Sequence, residues 1–114
     1  MKSGAIYDYL DALSPFATQA AWDNSGLLIG SKDDEIEQIY LSLDVDSKLL
    51  EEVLPNSLVI THHPLIFSGL KQLNFAKYPS NLIQIMVQKK ISLIAMHTNF
   101  DLSHLNAYVA SKLG

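Results

Sequence analysis

Cysteine is absent from this chain of 114 residues, which removes any disulfide framework, any thiol nucleophile and any thiolate-bound structural zinc. Charge is sparse too: charged residues make up 18% of the chain, and the net charge is −4 at pH 7. No basic cluster is larger than Lys89-Lys90, so the positive face that nucleic-acid binding requires is missing. The N-terminal Met-Lys-Ser-Gly leads into an apolar pattern interrupted by Asp8 and Asp11, which fits neither a signal peptide nor a membrane span. The cytoplasm is the expected location. Internal repeats, heptads, a phosphate-cradling glycine loop and low-complexity segments are likewise missing.

What the chain has is apolar surface to bury. Hydrophobic residues make up 48% of it, the composition of a globular protein rather than a disordered one. Its length suits a single domain over 1–114 with a core that needs no staples. Ser3 or Gly4 opens a first helix whose Ile6, Tyr9, Leu10 and Leu13 fall at helical spacing as one core-facing stripe, ended by Ser14-Pro15. Trp22 to Gly26 reads as a loop in which Asn24 and Gly26 suit positive φ and Asp23 can bond nearby backbone. It enters a strand at Leu27–Ile29. A second strand is expected over Ile36–Val45, followed by Asp46 as N-cap of a helix Ser47–Leu54 with Leu49, Leu50, Val53 and Leu54 inward. Strand, helix and the next strand at Leu58 form a unit that demands parallel pairing and a right-handed crossover. Segment 65–77 is expected to loop over the site. A helix capped by Ser80 then carries Leu82, Ile83, Ile85, Met86 and Val87 around so much of its circumference that burial on more than one side is expected. Lys89 and Lys90 close it, favouring its dipole. Strand Ile91–Met96 completes a second unit, and a final helix opens at Asp101 or Ser103 and runs through Lys112, with His104 exposed. The fold class is therefore α/β, with a mainly parallel or mixed sheet and flanking helices.

The chemistry gathers at two strand ends. Leu58-Val59-Ile60 is a short β-branched-rich run that leads through Thr61 into His62-His63-Pro64. In open α/β sheets ligands bind beyond the carboxyl ends of the strands, which is where these imidazoles fall. Consecutive residues of a regular strand point to opposite sides, so either the backbone bends at Pro64 or each histidine takes its own metal. A second apolar run, Ile91 to Met96, ends in His97, with the carboxylate of Asp101 following in a segment suited to a turn or helix start. If the two strands are parallel neighbours, His62, His63, His97 and Asp101 converge. Imidazole nitrogen with carboxylate oxygen suits zinc, manganese or ferrous iron. The alternative is that all four are ordinary hydrogen-bonded polar groups at strand ends. Asp44 is a weaker candidate for a metal or substrate role, and Thr61, Ser68 and Thr98 are possible polar liners.

Three segments, Trp22 to Gly30, Ile60 to Phe67 and His97 to Asp101, resemble in order and spacing the NIF-three-like family, also called the dinuclear metal centre family or the GTP cyclohydrolase I type two homologues. The resemblance runs through essentially the whole chain. It implies an α/β protein with two divalent metal ions at the bottom of a cleft, assembled in its intact form into a toroidal homohexamer. By position, His62, His63 and Asp101 look like metal ligands and His97 like a site histidine, a ligand or a general acid or base. The Trp22 to Gly26 loop is expected over the cleft, although many relatives carry an acidic residue where this chain has Ala20. Family members are about twice this length and take a further His and Glu ligand from their C-terminal part. The chain is thus expected to be the N-terminal half of a two-part protein, holding metal weakly and inactive alone. The implied function is metal-dependent hydrolysis of a nucleotide or phosphoester, a small-molecule substrate. The alternative is a non-catalytic metal-binding scaffold or regulatory interaction protein.

Overall fold

Each apolar run becomes a strand of one sheet in the computed structural model, which describes residues 1–113. The chain runs α1 (Ser3–Leu13), a 3-10 turn (Phe16–Thr18), β1 (Gly26–Ile29), β2 (Gln38–Ser42), α2 (Ser47–Glu52), β3 (Ser57–Thr61), α3 (Ser80–Gln88), β4 (Ser92–Ala95), then α4 (Thr98–Phe100), a π-helical stretch (Asp101–Leu105) and α5 (Asn106–Leu113). The strand order is β1-β4-β3-β2. Strands β2, β3 and β4 are parallel, as two helical crossovers require, whereas β1 pairs antiparallel with β4. No helix among the described residues is long and apolar enough to cross a membrane.

Alternation along β3 and β4 sorts the core into two layers. Val59 and Leu93 pack with Leu50, Val53, Leu82, Ile83 and Met86 beneath α2 and α3. Leu58 and Ile94 pack on the other face with Ile6 of α1, Phe16, Ile36 and Met96. Leu58, Val59, Leu93 and Ile94 are completely buried, as a central strand pair covered on both faces must be.

Several expectations change in the packing. Strand β2 is shorter than Ile36–Val45, because Ile36 and Val45 turn inward as buried anchors at either side of it. In α1, Ile6 is buried and Leu10 packs on the core, but Tyr9 and Leu13 stay 65% and 46% exposed. The bonds Ser3 N–H to Asp34 O and Gly4 N–H to Lys32 O roll the helix so that Ser3, Ile6 and Leu10 face the sheet. Helix α2 ends at Glu52, leaving Leu54 exposed; its expected cap is present, with Asp46 Oδ1 accepting from Leu49 N at 2.8 Å. Ser80 is not a cap. It is the first helical residue of α3, Pro79 takes the capping position, and no side chain caps the end. Within α3, Leu82, Ile83 and Met86 are buried but Val87 is exposed, so burial is one-sided. Lys89 Nζ donates to Leu50 O at 2.7 Å, tying α3 to a carbonyl of α2.

Candidate metal centre

Strand β3 stops at Thr61 and the chain bends at His62 and His63, one step ahead of Pro64. Two backbone bonds past the strand ends hold the bend, His62 N–H to Ser42 O at 3.3 Å and His63 N–H to Leu43 O at 3.0 Å, while Thr61 Oγ1 donates to His63 O at 2.9 Å. Lost regularity removes the strand's alternation. The two imidazoles stand side by side, with centroids 5.0 Å apart, instead of on opposite faces.

The neighbouring strand β4 delivers His97 to the same edge. Its ring centroid lies 5.0 Å from that of His62 and 5.6 Å from that of His63. One ring nitrogen from each of the three histidines falls within 4.8 Å of the others. Asp101 follows on the first helical turn, its N–H bonded to His97 O at 3.0 Å, and its Oδ1 comes to 3.5 Å from His62 Nε2. That oxygen is buried and accepts no hydrogen bond from the described residues. Asp101 also opens the π-helical stretch where a regular helix was expected, a widened turn of the kind frequent at functional sites. All four candidate residues therefore gather at the carboxyl ends of β3 and β4. His104 is exposed, bonded to Ser14 and Ser103 and outside the group.

Each histidine has its Nδ1 turned to an oxygen that can only accept: Met96 O at 2.9 Å for His62, Asp44 Oδ1 at 2.9 Å for His63 and Asp23 Oδ1 at 3.1 Å for His97. An acceptor there draws the ring proton to Nδ1 and leaves the Nε2 lone pair free, the arrangement by which ligating histidines are oriented. Asp23 and Asp44 are the residues that sequence reasoning missed in this role. For Asp44 a signal existed, a carboxylate just past the end of a parallel strand. For Asp23 the only pointer was a loop expected over the cleft.

Asp23 reaches the site because β1 is antiparallel. Its first residue, Gly26, pairs with Ala95 at the carboxyl end of β4, so the loop before β1 lies against His97. Gly26 takes the expected positive φ, 133°, but Asn24 does not; its Nδ2 instead donates to Ile66 O at 2.6 Å. The Asp23 side chain is fully buried. Burial alone would raise its pKa, but the Thr98 hydroxyl and amide, His97 and the Asn24 amide all donate to it and hold the carboxyl well below the ordinary range. Ser25 Oγ adds a further bond at 3.0 Å. Thr98 and Thr61 thus spend their hydroxyls on internal bonds, Thr98 also accepting from Ala20 N at 2.8 Å.

These donors suit a divalent cation. Two ligands on one tetrahedral ion, at about 2.0–2.2 Å each, stand about 3.4 Å apart, close to the 3.5 Å between His62 Nε2 and Asp101 Oδ1. A buried carboxylate oxygen without a hydrogen bond is the atom a cation would satisfy. The donors are nitrogen and oxygen, which favour zinc, manganese or iron.

Fold and pocket together define an α/β protein with a histidine-rich donor pocket at the carboxyl edge of a mixed sheet. Residues 1–114 match the model of the Duf34/NIF3 (NGG1p interacting factor 3) family, and the chain belongs to that family. It is 56% identical over 113 residues to a Campylobacter jejuni protein named GTP cyclohydrolase 1 type 2 homolog, covering 99% of this chain and 47% of that protein. It is 48% identical over 108 residues to the GTP cyclohydrolase 1 type 2 of a Helicobacter pylori strain, covering 95% of this chain and 44% of that one. Among solved structures, a Staphylococcus aureus protein superposes with a TM-score of 0.81 at 39% identity, over 89% of this chain and 29% of the other. The chain thus spans less than half the length of these relatives.

Proposed function

We propose that this chain carries part of a dinuclear metal centre in a metal-dependent hydrolase acting on a nucleotide or phosphoester. The observation that carries the reading is the buried, unbonded Asp101 Oδ1 beside His62 Nε2, within a pocket where three histidines converge. His62, His63 and Asp101 would hold metal, and His97, oriented by the ionised Asp23, would move a proton through its free Nε2. Bound there, divalent ions would lower the pKa of a water and offset charge developing on substrate oxygens. Three protein donors are enough for one tetrahedral ion with an open position, so a pair needs donors beyond this set, and a partial set holds metal weakly. The names of the Campylobacter and Helicobacter relatives support GTP as the first substrate to try.

Self-association, up to a homohexamer in the intact protein, belongs to the same reading, and the cytoplasm is its proposed setting. Self-association is supported by exposed Leu41 and Leu43, which line an apolar hollow of about 380 Å³ that also borders His62.

Elemental analysis after zinc, manganese or ferrous loading tests the centre. Metal content should fall in His62→Ala and Asp101→Ala, and hold in His97→Ala. Unchanged content in the first two would overturn the proposal. The hydrolase part is tested in the loaded full-length protein, where GTP and simple phosphoesters should turn over and His97→Ala should abolish it. No turnover with any metal would leave a metal-binding scaffold.

A further inference from the structure

Beside the histidines stand two large aromatic side chains left in water. Trp22 is 61% exposed and Phe67 52%. Their ring centroids are 6.1 Å apart at 40°, and the Trp22 ring also meets His97 edge-on, 5.9 Å away at 76°. The backbones that carry them are fixed. Trp22 precedes the buried, multiply bonded Asp23, and Phe67 follows Ile66, whose carbonyl accepts from Asn24 and so ties the two loops together.

Exposed rings on a held backbone keep their apolar area unburied while their positions are already fixed, which lowers the entropy lost when something covers them. We propose that Trp22 and Phe67 form a stacking wall for a planar nucleobase, placing the base next to His97 and the rest of the nucleotide towards His62, His63 and Asp101. The face of Trp22 supports this occupant. Trp22 lies against His97 in a T-shaped contact and stays exposed, so a base stacked on its ring would lie alongside the donor pocket, and every base has a π-face to offer. The inference rests on reading this pocket as a nucleotide site and names the part of the substrate it would recognise.

Trp22 is the sole tryptophan, so emission excited at the red edge of its absorption, where nucleobases absorb least, reports on this wall alone. Chelator-treated chain is titrated with guanosine, uridine and ribose 5-phosphate. Guanosine should quench Trp22 saturably, uridine more weakly, and ribose 5-phosphate not at all. In Phe67→Ala the half-saturating concentration should rise about 10-fold. Guanosine binding followed by equilibrium dialysis should be retained within a few-fold in Trp22→Phe and weakened about 10-fold or more in Trp22→Ala. Linear, unsaturable quenching, or equal responses to guanosine and ribose 5-phosphate, would overturn the proposal. So would a concentration-dependent blue shift with no nucleoside response, which would mean that a second copy covers the wall. Because metal is excluded, saturable guanosine binding in a protein that takes up no metal would sink the metal centre and leave the stacking wall. Metal uptake without guanosine binding would do the reverse.

Discussion

Two of the pocket's histidines are hydrogen-bonded through Nδ1 to a carboxylate, and these two pairs are built in opposite ways. Asp23 holds His97 from a fully buried position, with Thr98 and Ser25 hydroxyls and the Thr98 and Asn24 amides also donating to it. Asp44 holds His63 from a side chain 65% exposed, through one bond at 2.9 Å. The first joins residues 74 positions apart and locks the β1 loop onto the end of β4, so it belongs to the fold as much as to the site. The second joins the ends of two adjacent parallel strands that the sheet already holds together. The hydrogen-bond lengths, 3.1 and 2.9 Å, do not carry this difference. It lies in how many donors lose a partner when each carboxylate goes, and in whether water can replace it.

Breaking the buried pair should have the largest effect. Asp23→Ala leaves the Thr98 amide and hydroxyl, the Ser25 hydroxyl and the His97 ring N–H without their acceptor, at a cost of about 3 kcal/mol in urea unfolding. Asp23→Asn adds a pH signature. The folded-state pKa of Asp23 lies below its ordinary value of 3.8, so the stability it contributes is complete above that value and is lost as pH falls through the depressed one. The stability gap between the parent chain and Asp23→Asn should therefore stay level through neutral pH and narrow only in acid below that ordinary value. A gap that narrows near neutrality would assign the effect to the histidine instead.

The two pairs also mark how far the sequence could be read. Leu58 to Ile60 and Ile91 to Met96 announce buried parallel strands because their run of apolar residues is long for their surroundings, and the histidines that follow inherit a position from them. The Asp46 cap is equally local. Asp23 is different in kind. A strand of four residues has no sequence feature that sets its direction, and Asp23 meets His97 only because β1 runs antiparallel to β4. Nor did periodicity alone choose the buried face of α1, since it turned Ile6 and Leu10 inward correctly but Tyr9 and Leu13 with them. The face was set by backbone bonds from Ser3 and Gly4 to residues 34 and 32, which left Tyr9 and Leu13 in water. Local chemistry was readable; the long-range bonds that orient it were not.

Thr98→Val sharpens the comparison at intermediate size. It removes one donor to Asp23 and the acceptor of Ala20 N–H while leaving the Thr98 amide bond in place, for an expected loss of about 1–2 kcal/mol in the same unfolding experiment.

Asp44→Ala should register least, at about 0.5 kcal/mol or below, since water replaces an exposed acceptor. Its consequence should fall on His63 instead. Without the acceptor at Nδ1 the ring is free to turn and to exchange tautomers, which nitrogen-15 shifts of the imidazole would report as a loss of the uniform Nδ1–H form. His97, still held by Asp23, should keep that form in the same spectrum. If Asp44→Ala instead destabilised the chain as much as Asp23→Ala, the exposed pair would be a fold element too, and the contrast drawn from burial would fail.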